Sequence, residues 1–282
     1  MKCAWQAYLN LLPQRMRQEV DIYGKDALQE LRMRVGQAPL MCFQRSCRQL
    51  SMQVKQEDIA FVINAASEYS PWAARTVRQG FLTGYGGHRI GICGVATTMD
   101  GAIGNIVNPT SLCIRVARDF EGIARELGGI TDSLLLIGPP GSGKTTLLRD
   151  LIRMKGNDVN GCVAVVDERE ELFPLYKGLA CFDKGVQTDV LSRCPKADGI
   201  EAVLRSMNPS WIAVDEITKE EDCGALLQAG WCGVRYMATA HAGSVNDLLT
   251  RPVYRPLVTN KLFSLVVALK KDKSWTLERM PI

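Results

Sequence analysis

Two hydrophobic rhythms divide this chain. Up to about residue 131, apolar positions recur at helical spacing or alternate with polar ones. Ile59, Val62, Ile63 and Ala66 fall on one face of a helix over Glu57–Tyr69, and Ser70-Pro71 ends it. Leu31, Met33 and Val35 alternate with Arg32 and Arg34, which predicts a half-buried strand. Phe81–Thr83 and Arg89–Val95, with a turn at Asp100-Gly101, read as short hairpin strands, and Leu112, Ile114 and Val116 mark another. Asp119 opens a short helical stretch that stops at Gly128-Gly129. That double glycine is the expected boundary between an α+β domain over 1–129 and a second domain over 130–282.

From Asp132 the apolar residues gather into short runs separated by helix-length segments. The runs are Leu134–Ile137, Val163–Val166, Trp211–Val214 and Tyr236–Ala238, then Leu262–Leu269 and Trp275–Leu277. Runs apolar on both faces and joined by long connections predict a buried, mostly parallel sheet of the α/β class. The final pair, close across Lys270–Ser274, predicts an antiparallel hairpin.

Composition adds mainly exclusions. With 46% hydrophobic and 23% charged residues, 25 Gly and 12 Pro, the chain carries enough apolar surface to fold, so a disordered or collagen-like protein is excluded. No apolar run approaches the roughly 18–20 residues that cross a bilayer, and the N-terminus lacks a signal-peptide core before Asn10 and Pro13. A cytoplasmic protein, reaching membranes only through partners, is the expectation. Ten cysteines without a C-x-x-C pair, beside only His88 and His241, do not form a zinc or disulfide pattern. The +4 net charge falls wholly in residues 1–131, too thin an excess to demand a nucleic-acid partner.

The chemistry begins after the first apolar run. Gly138-Pro139-Pro140-Gly141-Ser142-Gly143-Lys144-Thr145 fits G-x-x-x-x-G-K-[ST] between a strand and a predicted helix over Thr145–Met154. The glycines let backbone N–H groups turn inward onto phosphate oxygens, and the helix start adds its donors and positive dipole end. Lys144 then meets the β- and γ-phosphates, Thr145 offers its hydroxyl to Mg²⁺, and Thr146 continues the cradle.

Acidic residues close two of the apolar runs further along, and a histidine follows a third. Trp211–Val214 runs into Asp215 and Glu216; Asp215 would hold Mg²⁺, and Glu216 would polarise the attacking water. Val163–Val166 runs into Asp167-Glu168-Arg169, and either acid could also position the water, so the base is one of 167, 168 and 216. His241, beyond Tyr236–Ala240, sits where a γ-phosphate sensor would, with Thr239 a second candidate.

These features, in this order, resemble the P-loop ATPases of type II and type IV secretion and pilus retraction, with their Walker A, Asp box, Walker B and His box. Further segments resemble the stage III sporulation protein AA family: Leu31–Gln37, Gly86–Gly91, Thr188–Leu191, Cys194–Ala197 and Arg205–Pro209. The resemblance implies a RecA-like P-loop NTPase, its mostly parallel sheet covered by helices on both faces, behind a smaller α+β domain for docking or oligomerisation. It implies a Mg²⁺-dependent ATPase, a homo-oligomer built as a hexameric ring, and membrane-embedded partners in a channel apparatus of endospore formation. Such rings use a neighbour's arginine, for which Arg205 and Arg169, then Arg115 and Arg118, are candidates. Gln187 stands where the family leads one to expect arginine, and Ile217-Thr218-Lys219 replaces an expected Ile-Gly.

Two other readings compete. A nucleotide-gated scaffold would bind ATP and oligomerise with negligible turnover. A KH-like nucleic-acid-binding ATPase would use the G-x-x-G stretch Gly84-Tyr85-Gly86-Gly87, although no dense basic patch accompanies it.

Overall fold

The alternation at Glu30–Arg34 becomes a strand with Leu31 and Met33 fully buried and Arg32 and Arg34 exposed. It ends one residue short of expectation, since Val35 leaves the ladder to bridge Val54. The computed structural model describes residues 1–67, 80–99, 102–159 and 161–280. The expected helix stop at Ser70-Pro71 and the turn at Asp100-Gly101 lie outside them.

The chain forms two compact units, Met1–Asp119 with Leu175–Phe182, and Phe120–Pro174 with Asp183–Ile282. In the first, helices α1 (Trp5–Asn10) and α2 (Gln14–Gly24) precede β1 (Glu30–Arg34), β2 (Leu40–Cys42) and β3 (Cys47–Gln49). Helix α3 (Gln56–Ser67) then leads to β4 (Phe81–Thr83), β5 (Arg89–Met99) and β6 (Ala102–Arg115). The six strands make one antiparallel sheet in the order β3-β2-β1-β6-β5-β4. Ile59, Val62 and Ala66 of α3 join Tyr8, Leu12, Met16 and Val20 in a core with Leu31, Met33, Ile90 and Ile114. Each such valine, leucine, isoleucine or methionine side chain, once buried, stabilises the fold by about 1.5–3 kcal/mol.

The division between the units falls at Asp119/Phe120, ten residues before Gly128-Gly129. Residues 120–130 belong to the second unit because its helix holds them. The Asp150 carboxylate accepts the N–H groups of Gly122 and Ala124, and the Lys155 ammonium donates to the carbonyls of Gly128 and Ile130. The helical stretch expected from Asp119 is reduced to one 3₁₀ turn at Arg125–Leu127. Gly122, at φ +84°, and the capture of those two N–H groups leave no room for an α-helix.

In the second unit β7 (Leu134–Ile137) feeds α4 (Lys144–Gly156), followed by β8 (Val163–Asp167). A small hairpin, β9 (Leu175–Tyr176) and β10 (Leu179–Ala180), counts with the first unit, where Tyr176 meets Tyr85 edge-on at 5.2 Å. The chain continues through β11 (Thr188–Ser192), α5 (Lys196–Met207), β12 (Trp211–Ile217), α6 (Glu220–Trp231) and β13 (Arg235–Ala240). Short helices α7 (Val245–Thr250) and α8 (Arg255–Thr259) precede the expected hairpin, β14 (Leu265–Leu269) and β15 (Trp275–Arg279).

The seven strands run in the order β11-β8-β12-β13-β7-β14-β15, parallel except for β15. Alternate strand residues (Leu135, Val166, Val214 and Ala238 among them) pack with Ile200 of α5, Leu226 of α6, Leu248 of α7 and Leu257 of α8. The opposite face carries α4, whose Leu147, Leu148, Leu151 and Ile152 are buried. Helices thus cover both faces. Because the sheet is parallel, the C-terminal ends of β7, β8, β12 and β13 share one edge, and ligands of open α/β sheets bind outside such an edge.

Candidate functional site

The loop from β7 to α4 curls as its glycines allow, with φ +73° at Gly141 and +102° at Gly143. A side chain on Gly138 would strike the Leu269 carbonyl at 2.6 Å, so Pro139 and Pro140 follow a turn that admits only glycine. The Lys144 ammonium, at the first turn of α4, donates to the carbonyls of Gly138 and Pro139 and lies 3.3 Å from His241 Nδ1. Burial lowers its pKa, while the charges of Asp215 and Glu216 act the other way. Ser142 is buried, and among the described residues its hydroxyl has no hydrogen-bond partner.

The acidic end of β12 meets this loop directly. Thr145 Oγ1 donates to Asp215 Oδ2 at 2.9 Å, and Thr239 Oγ1 donates to Asp215 Oδ1 at 2.5 Å. The Glu216 N–H donates to the Thr239 hydroxyl at 2.7 Å. Burial raises the Asp215 pKa against the opposing hydrogen bonds from the two threonines. Glu216 occupies left-handed backbone, φ +56°, where the β12–β13 register slips between Val214 and Ile217. That unusual turn separates the two acids: Asp215 stays under the loop while Glu216 reaches Arg169 Nη1 at 2.9 Å and His241 Nε2. Burial would raise the Glu216 pKa, but the His241 hydrogen bond and the charges of His241 and Arg169 outweigh it and hold the carboxyl below its ordinary value.

The remaining predicted residues separate in position. Asp167 lies under the turn after β8, where its two oxygens accept the N–H groups of Glu171, Leu172 and Phe173 at 2.8–3.0 Å. Burial, reinforced by the Asp215 charge, pushes its pKa up to about 6 despite those bonds. Glu168 pairs with the buried Lys196 ammonium at 2.6 Å. Arg205 stands 80% exposed on α5 and, among the described residues, pairs along its own helix with Glu201, away from this edge of the sheet. In the first unit, Arg118 donates to the Leu28 carbonyl and Arg115 lies 3.7 Å from Glu30.

A match to the family of sporulation stage III, protein AA runs from residue 5 to residue 277. The chain belongs to that family. Stage III sporulation protein AA of Bacillus subtilis is 34% identical over 256 residues, 87% of this chain and 83% of that protein. Among solved structures, the pilus retraction motor PilT with bound ADP is 16% identical over 90% of this chain and 76% of its own, with a TM-score of 0.62. The Legionella pneumophila ATPase DotB is also 16% identical, over 95% of this chain and 80% of its own, with a TM-score of 0.59. These two likenesses are of fold, that of the P-loop secretion ATPases.

In this sporulation stage III AA member, the two departures noted in the sequence have structural uses. Gln187 sits at the N-terminal end of β11, opposite the site, and its amide donates to the carbonyls of Asp158 and Val159. Ile217 is buried in the core, and the Thr218 and Lys219 N–H groups meet the Asp222 carboxylate at the start of α6. The G-x-x-G stretch at 84–87 does not present an open loop: a side chain on Gly86 would meet Ala4 Cβ at 2.4 Å, and His88 is fully buried. Among the described residues, no helix is long and apolar enough to cross a membrane.

Three features had no sequence signal. They are the Arg169–Glu216 ion pair within one chain, the orphaned Ser142 hydroxyl, and a bond from the Lys273 ammonium to the Gly141 carbonyl across the phosphate loop. Thr239, in sequence a second candidate for the γ-phosphate sensor, instead ties Asp215 to the Glu216 N–H.

Proposed function

We propose that this protein hydrolyses ATP as the assembly or motor ATPase of a membrane-associated complex in sporulation. The observation that carries the reading is the Thr145–Asp215–Thr239 chain of hydrogen bonds, which joins the phosphate loop to the acidic strand end. Residues 138–146 would hold the triphosphate. Thr145 and Asp215, hard oxygen donors beside Lys144, suit Mg²⁺, an oxygen-seeking cation. When bound, the cation would neutralise charge on the β- and γ-phosphates.

Glu216 is the assigned base. Asp215 is engaged by two hydroxyls and Asp167 by three backbone N–H groups, whereas Glu216 contacts side chains that can rotate. It orients water for in-line attack and takes its proton, and His241, within reach of both Glu216 and Lys144, stands beside the γ-phosphate. Asp167 and Glu168 fix the turn and α5 rather than the water. Arg205, exposed on α5, is the arginine offered to a neighbouring subunit of a hexameric ring, where it would stabilise transition-state charge. Family membership supports membrane-embedded partners, and the first unit would supply docking and oligomer contacts.

Phosphate release by the purified protein with ATP and Mg²⁺, against Glu216→Gln, tests the reading. Turnover well above that variant supports hydrolysis; equal, negligible rates would favour the nucleotide-gated scaffold.

A further inference from the structure

The spacing of the ten cysteines carries no disulfide pattern, but strand pairing in the first unit sets two of them face to face. Cys42 closes β2, Cys47 opens β3, and the antiparallel ladder makes them direct partners. The Phe43 N–H donates to the Ser46 carbonyl and the Leu50 N–H to the Pro39 carbonyl, each at 2.9 Å. Those bonds fix the alternation along the hairpin, so 42 and 47 form a non-hydrogen-bonded pair. In such a pair the Cα atoms stand about 4.5 Å apart, inside the span of about 4.4–6.8 Å that a disulfide bridges.

Met41, the residue before Cys42, is fully buried in the core, so Cys42 and its partner project from the opposite face of the sheet. There Cys47 is exposed and Cys42 half-buried. Glu30 of β1 stands opposite Cys42 in register. Burial first, then the hydrogen bond and charge of Cys47 and the charge of Glu30, push the Cys42 thiol up to about 11. Cys42 therefore keeps its proton, while Cys47 meets solvent. Cys113, on the same face, lies on β6 beyond β1, more than about 9 Å from Cys42 by strand spacing. It is too far to bridge, and its thiol donates to Glu30 at 3.2 Å.

We infer that Cys42 and Cys47 are a site of reversible oxidation, where a hydroperoxide converts the thiol pair into a disulfide across the β2–β3 hairpin. The exposed Cys47 sulfur, as thiolate, attacks hydrogen peroxide. An S–O bond forms, the O–O bond breaks, and the departing hydroxide takes up the proton that the thiol gave up. The Cys42 sulfur then attacks the sulfenic sulfur of Cys47. The S–S bond forms, the S–O bond breaks, and the hydroxyl leaves as water with the Cys42 proton. Together the two sulfurs lose two electrons, and the peroxide is reduced to two waters. Capture by Cys42 stops Cys47 short of irreversible sulfinic acid, and a dithiol reductant restores both thiols by exchange. While it lasts, the bond tethers β3, the outermost strand of its sheet, to β2.

The test treats the reduced full chain with hydrogen peroxide, blocks free thiols with iodoacetamide, and digests with trypsin without reductant. Arg45 lies between the two cysteines, so the bridge joins peptide 35–45 to peptide 46–48, two hydrogens lighter than their sum. This linkage is expected to exceed any other cysteine linkage by about tenfold or more and to vanish with dithiothreitol. In Cys42→Ser, Cys47 should stop at the sulfenic acid and be trapped by dimedone. In Cys47→Ser, Cys42 should oxidise about tenfold or more slowly than Cys47 does in the unaltered chain. A dominant bridge to another cysteine or between chains, or Cys47 passing unbridged to sulfinic acid, would overturn the proposal. So would a Cys42→Ser chain whose Cys47 fails to react with dimedone, or undiminished oxidation of Cys42 in Cys47→Ser.

Discussion

Arg169 and Glu216, 47 positions apart in sequence, form an ion pair at 2.9 Å between the ends of β8 and β12. His241 takes the other carboxylate oxygen, so both oxygens of the proposed base are engaged within a single chain. Removing the guanidinium takes away one of the charges that hold the Glu216 carboxyl below its ordinary pKa. Because the carboxylate is the working form of a base, Arg169→Ala should move the acid limb of the kcat–pH profile to higher pH. An unmoved limb would show that Glu216 is not the group titrating there.

Lys144 and Glu216 should fail differently. Lys144→Ala removes a cation that meets phosphate in ground and transition states alike, so nucleotide affinity and turnover should both collapse, turnover by about 10²–10³. Glu216→Gln keeps the shape and should bind nucleotide nearly as well while losing turnover to a similar extent. Equilibrium binding beside phosphate release separates the two. Undiminished turnover in a folded Lys144→Ala protein would contradict the phosphate cradle.

Asp167 ends β8 as Asp215 ends β12, yet the prediction for it concerns stability. Its two oxygens accept three N–H groups from the turn at 171–173, which only a carboxylate can do without offering a donor of its own. Asp167→Asn places an NH₂ against one of those N–H groups and should cost about 1–3 kcal/mol, read as a lower urea midpoint. Turnover per folded molecule should remain within about threefold. A loss of two orders of magnitude with unchanged stability would return Asp167 to the chemistry.

Much of this was legible along the chain. Runs apolar on both faces announced the parallel sheet, and the loop at 138–145 was visible because phosphate binding constrains four positions at fixed spacing. The proposed base was not, since Asp167-Glu168 and Asp215-Glu216 end their strands in identical dipeptides. Only the left-handed turn at Glu216 and the N–H groups closing on Asp167 distinguish them, and both are properties of backbone path. The segment 119–129 misled for a related reason: helical spacing was present, but Asp150, over 20 residues on, claims the N–H groups that a helix would need. Lys273 and Trp275 reach the loop through the register of β14 on β7, which no local pattern encodes.

His88 gives the first unit its own pH dependence. Nε2 lies 3.0 Å from the Ala4 carbonyl and therefore donates, while Nδ1 accepts the Ala117 N–H at 3.0 Å. Only the neutral ring does both, since a proton on Nδ1 would face that N–H. Burial first, opposed by the Ala4 carbonyl and aided by the Arg118 charge, brings the pKa down to about 4. The unfolded chain titrates near the ordinary value of about 6.5 and binds the proton that the folded chain refuses. The stability conferred by neutral His88 is therefore complete above about pH 6.5 and lost as pH falls towards 4, by about 3 kcal/mol in all. Urea unfolding of the full chain at pH 7 and pH 5 should show this loss, and His88→Gln, which cannot titrate, should start less stable and lose less between them. An identical pH dependence in the two proteins would place the titrating group elsewhere.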